Sequence, residues 1–430
     1  MITPENTIGK YFSGACLTNQ NYFHWLSDTQ FTVIILEEYL RVEYWNNGTM
    51  ERWNKSISIY SFNHSTMEPL QIGDLKIKLP VIQGGMGVAI SLSGLASAVA
   101  NEGGIGVISA VGIGMTEPGY EKNFREANKS ALRREIRKAK SLTDGVLGVN
   151  IMLAVTDYED MLRISLEEKI DIVFIGAGLF LRIPSSIPDS LLENSKTKLV
   201  PKVSSAKAAR LIFQHWANKY NHVPDAVVVE GPLAGGHLGF RKDDLENQKF
   251  HLPNLISETV SEMVPFEQRF GIEIPVIAAG GIYNGEDMYK IMQYGAKAVK
   301  IGTRFVTTHE CDASIEYKES YLKCKKEDIT IIDSPVGLPG RVILNDFVKK
   351  IQNGYTKPVK CPWKCLKTCN YKEVKYCIAE ALFNSAKGNM SEGFAFAGSN
   401  AYLATKIQSV KETINDLILE YKMNKFELAI

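Results

Sequence analysis

Ala226-Val-Val-Val-Glu230-Gly-Pro-Leu-Ala-Gly235-Gly236-His237-Leu-Gly239 is the stretch from which the fold of this chain can be read. Its first four residues are apolar and mostly β-branched, with no polar alternation. That is the pattern of a short strand buried on both faces. The run ends in a glycine-rich turn that carries Glu230, Gly235, Gly236 and His237. Glycines lack a Cβ and let the backbone approach a ligand closely, and an imidazole placed there can move protons near neutral pH. A tight turn closed by a structural histidine would use the same residues, so the surrounding pattern decides.

The pattern repeats. Apolar runs occur at Leu79–Ile82, Ile105–Ile108, Val146–Val149, Asp171–Ile175, Leu199–Val203, Ala226–Val229, Ile274–Ala279 and Ala298–Ile301. Helix-like stretches lie between them, clearest in Glu121–Leu142 and Ala206–Lys219. Strands alternating with helices imply βαβ units and a parallel sheet. Eight units across residues 79–301 fit an α/β fold of the (β/α)₈ TIM-barrel type, for which about 250 residues is typical. A doubly wound open sheet is the alternative, and eight repeats favour closure.

Six of the runs are followed directly by unusual residues. Gln83-Gly-Gly-Met-Gly follows the first, Asn150 the third and Gly176-Ala-Gly-Leu the fourth. The Glu230–His237 turn follows the sixth, Gly280-Gly-Ile the seventh and Gly302-Thr-Arg the eighth. All lie at C-terminal strand ends, the face where barrel active sites form. Turns after strands 7 and 8 commonly bind phosphate through backbone N–H groups, and Gly280, Gly281, Gly302 and Thr303 supply bare backbone and a hydroxyl there. Gly176-Ala-Gly-Leu lacks the third glycine of a dinucleotide fingerprint, and neither a Walker A nor a His-Glu-x-x-His sequence occurs.

Ile82-Gln-Gly-Gly-Met-Gly, Gly148-Val-Asn150, Ala234-Gly-Gly-His-Leu-Gly, Ala278-Ala-Gly-Gly-Ile and Ile301-Gly-Thr-Arg-Phe together resemble the nitronate monooxygenase (2-nitropropane dioxygenase) family. The flavin-dependent enoyl-ACP reductases share its barrel. The likeness runs from about Met67 to Ala404. It implies non-covalent FMN, with the phosphate on Gly280, Gly281, Gly302 and Thr303. It also implies that Gly84, Gly85, Met86 and Asn150 lie near the flavin ring and ribityl chain, joined by Lys202 and Gly236. His237 matches the histidine beside the isoalloxazine. The implied activity is oxidation of an alkyl nitronate by flavin and O2 to a carbonyl compound and nitrite. His237 would be base towards a neutral nitroalkane or hydrogen-bond donor to the nitronate. The alternative is an enoyl reductase, in which NAD(P)H reduces the flavin and an acyl-thioester double bond receives the hydride. Residues 240–273 read as a long polar insertion, which sets this chain apart from the best-known forms of both.

The composition excludes other classes. Of 430 residues, 49 are basic and 48 acidic, which argues against nonspecific binding to nucleic acid or anionic lipid. No apolar run reaches membrane-spanning length, and no secretory signal opens the chain, so a cytoplasmic enzyme is expected, with a homodimer left open. Residues 1–66 hold three of the five tryptophans (Trp25, Trp45, Trp53) and little periodicity. They read as an extension whose role stays open between an accessory domain, a poorly ordered segment and an upstream piece outside the working protein. Sequons at Asn47, Asn54 and Asn63 have no consequence without secretion. The barrel is expected over 67–310 and a mainly helical C-terminal extension over 311–430. Within the latter, Cys361, Cys365, Cys369 and Cys377 are candidate metal ligands; on a helix the first three would share a face. Reduced thiols in a helical lid are the simpler reading. Glu392-Gly-Phe-Ala-Phe-Ala-Gly-Ser-Asn-Ala-Tyr402 is apolar and flexible enough to cover the barrel mouth and exclude water.

Overall fold

The computed structural model describes residues 67–361 and 363–427 together with four earlier strands, Tyr22–His24, Phe31–Leu36, Tyr39–Asn46 and Thr49–Trp53. The chain forms two compact units, Met1–Met67 and Glu68–Ile430. In the first, the four strands pair antiparallel in chain order. Little periodicity was expected there, yet Tyr39–Asn46 and Thr49–Trp53 pair in register from Asn46–Thr49 to Val42–Trp53. The sequons at Asn47, Asn54 and Asn63 lie outside the described residues.

In the second unit the eight apolar runs become strands β1 (Val81–Gln83), β2 (Gly106–Ser109), β3 (Leu147–Met152), β4 (Ile172–Gly176), β5 (Lys198–Val203), β6 (Val227–Glu230), β7 (Val276–Ala279) and β8 (Ala298–Ile301). Helices α1 (Ser93–Asn101), α2 (Phe124–Leu142), α3 (Tyr158–Glu167), α4 (Asp189–Glu193), α5 (Ala206–Tyr220), α6 (Leu252–Phe270), α7 (Gly285–Met292) and α8 (Thr303–Val306) alternate with them. The sheet order is β1-β8-β7-β6-β5-β4-β3-β2, with every neighbouring pair parallel. The barrel closes between β1 and β2 through a parallel bridge, Ile82 to Ile105. There the Gln83 N–H donates to Ile105 O and the Ile105 N–H to Val81 O, both at 2.9 Å.

Side chains alternate inward and outward along each strand, so the barrel interior is layered. Ile82, Val107, Phe174, Val200, Val228, Ile277 and Ala298 are buried within it. Two residues further towards the C-terminal ends stand Ser109, Asn150, Lys202, Glu230 and Lys300. An apolar plug therefore carries a polar upper layer at the end where the glycine turns converge.

Residues 240–273 are not an insertion. They contain α6, the helix of the sixth βα unit, entered through the short turns Lys242–Asp244 and Gln248–Phe250. Leu252, Leu255, Ile256, Thr259 and Met263 recur at helical spacing and are buried, while the polar residues that dominate the composition face solvent. Pro253 in the first turn and Gly271 at φ 66° mark its ends.

After the barrel come α9 (Ile315–Leu322), the hairpin β9 (Ile329–Asp333) and β10 (Pro339–Ile343), α10 (Asp346–Gln352), α11 (Ile378–Ala386) and α12 (Val410–Glu427). The C-terminal extension thus adds a β-hairpin to its helices. It is bound tightly to the barrel: a Cβ on Gly285 in α7 would lie 2.2 Å from Leu417 O in α12. No helix among the described residues is long and apolar enough to cross a membrane.

The N-terminus of α1 has no side-chain cap of its own. Instead the Asp312 carboxylate accepts from the N–H groups of Leu92 (2.7 Å), Gly94 (3.2 Å) and Leu95 (3.2 Å). Glu135 on α2 accepts from the Ser93 N–H and hydroxyl at 3.1 and 2.6 Å. Removing a carboxylate that satisfies buried donors typically costs about 1–3 kcal/mol. Asp312→Ala should lower the unfolding free energy by about that amount in a denaturant titration, and an unchanged midpoint would show that α1 needs no cap from this segment.

Candidate active site

The glycine turns and the polar layer enclose a cavity of about 900 Å³ at the C-terminal ends of the strands. Every residue singled out above for the barrel site lines it: Gly84, Gly85, Met86, Asn150, Lys202, Gly236, His237, Gly280, Gly281, Gly302 and Thr303. Gly280 and Gly281 have φ of 93° and 83°, the left-handed region that strongly favours glycine. A Cβ on Gly281 would press to 2.9 Å from Leu233 Cβ, and one on Gly85 to 2.4 Å from Asn150 Cβ. The Thr303 hydroxyl oxygen accepts from the Gly398 N–H at 3.0 Å, so its proton remains available to an anion.

His237 is held by the C-terminal hairpin. Gly236 and His237 form a two-residue strand that pairs antiparallel with Arg341 and Gly340 of β10. The buried Arg341 guanidinium donates to the carbonyls of Pro232 and Ala234, both at 2.6 Å. Burial lowers that guanidinium to about 10. At the end of β9, the Ser334 hydroxyl lies 2.7 Å from His237 Nε2. A hydroxyl can serve either tautomer, so Nδ1, which has no hydrogen bond among the described residues, can present a lone pair or an N–H. Phe396 meets the imidazole edge-on, with centroids 4.9 Å apart. Burial first, and then the Lys202 charge, lower the imidazole from 6.5 to about 4. An ordinary titration near neutrality was expected from the sequence. The structure corrects this: the group is a neutral imidazole at pH 7, because no carboxylate compensates its desolvation.

The cavity floor is charged. Lys202 on β5 donates to both Glu230 oxygens on β6, at 2.9 and 3.1 Å. Lys300 on β8 lies in the same layer, buried, with its Nζ 3.6 Å from the centroid of the Phe174 ring. The Lys300 amine and the Ser109 hydroxyl on β2 have no hydrogen-bond partner. Lys300 was legible as a conflict, a lysine inside a strand otherwise buried on both faces. Ser334 and Arg341 carried no local signal, since the residues they hold stand 97 to 109 positions away.

The segment at 395–400 crosses the mouth. Phe396, Ala397 and Gly398 line the cavity. The Ala397 N–H donates to Arg341 O, the Ser399 N–H to Leu233 O and the Asn400 side-chain amide to Gly281 O. The helix expected around the cysteines is not formed. Cys361, Cys365 and Cys369 lie in irregular chain, and Cys377 stands at the N-cap of α11. Pro358 and Pro362 disfavour helix around them, and Lys364 has φ 46°. All are free thiols, and no group of three or more His, Cys, Asp or Glu among the described residues is placed to hold a metal ion. Cys365 lines the cavity, where burial pushes its thiol up to about 12.

The pattern of the nitronate monooxygenase family matches residues 68–171 and 146–420. A Mycobacterium tuberculosis protein, (3aS,4S,5R,7aS)-5-hydroxy-7a-methyl-1-oxo-octahydro-1H-indene-4-carboxyl-CoA dehydrogenase, is 25% identical over 372 residues, covering 80% of this chain and 93% of its own. A probable nitronate monooxygenase of Staphylococcus saprophyticus is 27% identical, covering 65% of this chain and 79% of its own. Among solved structures, FabK from Thermotoga maritima is similar at 29% identity and TM-score 0.63, covering 82% of this chain and 96% of that one.

The lowered His237 titration has a consequence for stability. Between pH 6.5 and about 4 the unfolded chain binds a proton at this imidazole that the native state refuses, so stability falls as the pH falls. At about 1.4 kcal/mol per pH unit, wild type should lose about 3 kcal/mol more than His237→Asn between pH 7 and 4. Parallel stability profiles from denaturant titrations would place the imidazole in an ordinary environment.

Proposed function

The chain belongs to the nitronate monooxygenase family of oxidoreductases, and from that membership we propose that it is an FMN-dependent enzyme oxidising alkyl nitronates with O2 to a carbonyl compound and nitrite. The observation that carries the reading is the neutral His237 on the wall of a cavity that also contains the glycine turns of β7 and β8. The residues present fit the cofactor. Positive-φ glycines leave bare backbone for a phosphate, and an unpartnered hydroxyl, Ser109 Oγ, belongs to a residue lining the same cavity.

FMN, when bound, supplies the electron-transfer chemistry. Gly280, Gly281, Gly302 and Thr303 hold its phosphate through N–H groups and a hydroxyl. Gly84, Gly85 and Gly236 give the backbone access a flat ring needs, and Met86, Asn150 and Lys202 fix its edges. His237 hydrogen-bonds the substrate through Nδ1 while Ser334 keeps the ring oriented. An imidazole titrating near 4 is a weak base, so it serves a nitronate, whose proton is already gone, better than a neutral nitroalkane. The segment at 395–400 excludes water from the mouth.

A second reading, an NAD(P)H-dependent reductase of acyl thioesters, is favoured by the cavity's size and apolar lining. Phe124, Val155, Leu366, Ile378 and Leu382 add apolar wall to the cavity, whose volume of about 900 Å³ is more than a small nitronate fills. The similarity to a carboxyl-CoA dehydrogenase points the same way.

Anaerobic mixing separates the two. Propionate-3-nitronate should bleach the bound flavin while NADH leaves it oxidised, and aerobic turnover should release nitrite; the reverse pattern selects the reductase. Gly281→Leu should purify colourless, because its Cβ would enter the Leu233 contact and its φ is strained; a yellow variant would exclude this phosphate placement. His237→Ala should retain FMN and lose about 10- to 100-fold on nitronates, which forfeit the Nδ1 hydrogen bond, with a smaller loss on neutral nitroalkanes, for which the imidazole is a poor base. Wild-type rates on both substrates would assign the histidine to the fold.

A further inference from the structure

Lys300 is given no role in the reaction described above, yet it lines the same cavity as Lys202, Glu230 and His237. Its side chain is 7% exposed, and its Nζ makes no hydrogen bond and stands 3.6 Å from the Phe174 ring centroid. The charged groups that act on it are Lys202 from β5 and Glu230 from β6. Its neighbours in register, Ile82 on β1 and Ala279 on β7, carry no titratable group. A buried lysine without a carboxylate partner is costly, and a functional residue is where such a cost persists.

The charges of the floor show what is missing. Lys202 is bonded to both oxygens of Glu230, so its charge is already committed to that carboxylate. His237 is neutral at pH 7. An anion formed above this floor would have no counter-charge unless Lys300 supplied one.

We propose that Lys300 is the proton acceptor that balances reduction of the bound flavin. The inference rests on the FMN reading given above. Two-electron reduction of the ring, by hydride from a nicotinamide or by electrons from a nitronate with one proton taken from solvent, would leave it with one negative charge. One further proton leaves solvent water and forms an N–H bond at Lys300 Nζ, giving an ammonium next to the new anion. When an oxidant removes the electrons, Nζ returns that proton to solvent. Burial first and then the Lys202 charge push the amine well below its ordinary range, against the opposing Glu230 charge; the proposal requires it to be neutral while the ring is oxidised.

The test is the pH dependence of the flavin midpoint potential in the intact FMN-loaded protein, with the reduced-state absorption spectrum recorded alongside. Wild type should take up two protons per two electrons with an anionic reduced ring. Lys300→Met and Lys300→Gln, both expected to fold and keep FMN, should take up one. The slope against pH is then halved and the potential becomes more negative. FMN-loaded variants with the wild-type slope would overturn the proposal, as would a wild type that takes up one proton or carries a neutral reduced ring. A wild-type protein that binds no FMN would overturn this inference and the cofactor reading together, whereas equal slopes in yellow proteins would remove this inference alone.

Discussion

The guanidinium of Arg341 holds the centre of this structure together. It reaches from β10 to the carbonyls of Pro232 and Ala234, two acceptors in the glycine-rich turn that carries His237. The same strand pairs with Gly236 and His237, and its far side accepts the Ala397 N–H of the segment crossing the mouth. A turn that would otherwise sample many conformations is thus fixed between the barrel and a hairpin one hundred residues later. The close fit explains Gly235, where a Cβ would lie 2.5 Å from the Ala397 carbonyl carbon. Charge-assisted hydrogen bonds to carbonyls are among the stronger neutral-acceptor contacts, and here they are shielded from water.

The barrel meets two opposed demands in one tube. Its lower interior is filled with Val, Ile and Phe side chains, the usual source of stability in a parallel sheet. One layer higher the same alternation presents Ser109, Asn150, Lys202, Glu230 and Lys300, groups whose burial opposes folding. The Lys202–Glu230 pair offsets part of that cost, whereas Lys300 and Ser109 remain unpartnered. Stability is concentrated in the apolar layer so that the upper one can stay reactive.

Desolvation also sets the chemistry of the histidine. Phe396, the hairpin and the barrel rim enclose the imidazole, and its only hydrogen-bonded neighbour among the described residues is the Ser334 hydroxyl. A carboxylate at that position would have stabilised the imidazolium; a hydroxyl stabilises the neutral ring. The site is therefore suited to receive an anion or an electron-rich group without first carrying a charge of its own.

The periodicity of residues 79–301 determined the eight strands, and the glycines after them determined which end of the barrel would carry a site. Both features are local: a β-branched run must be buried, and a left-handed turn requires glycine. The same locality misled the reading of residues 240–273, where polar composition hid the buried stripe of α6, and of Cys361–Cys377, where cysteine spacing suggested a helix that Pro358 and Pro362 disfavour. Only the tertiary structure decided that Ser334 and Arg341 support His237, that this imidazole is neutral, and that Lys202 is bonded to Glu230 while Lys300 is not. Those outcomes depend on which side chains meet across distant segments and on how much water is left around them, and neither quantity is encoded in any single stretch of the chain.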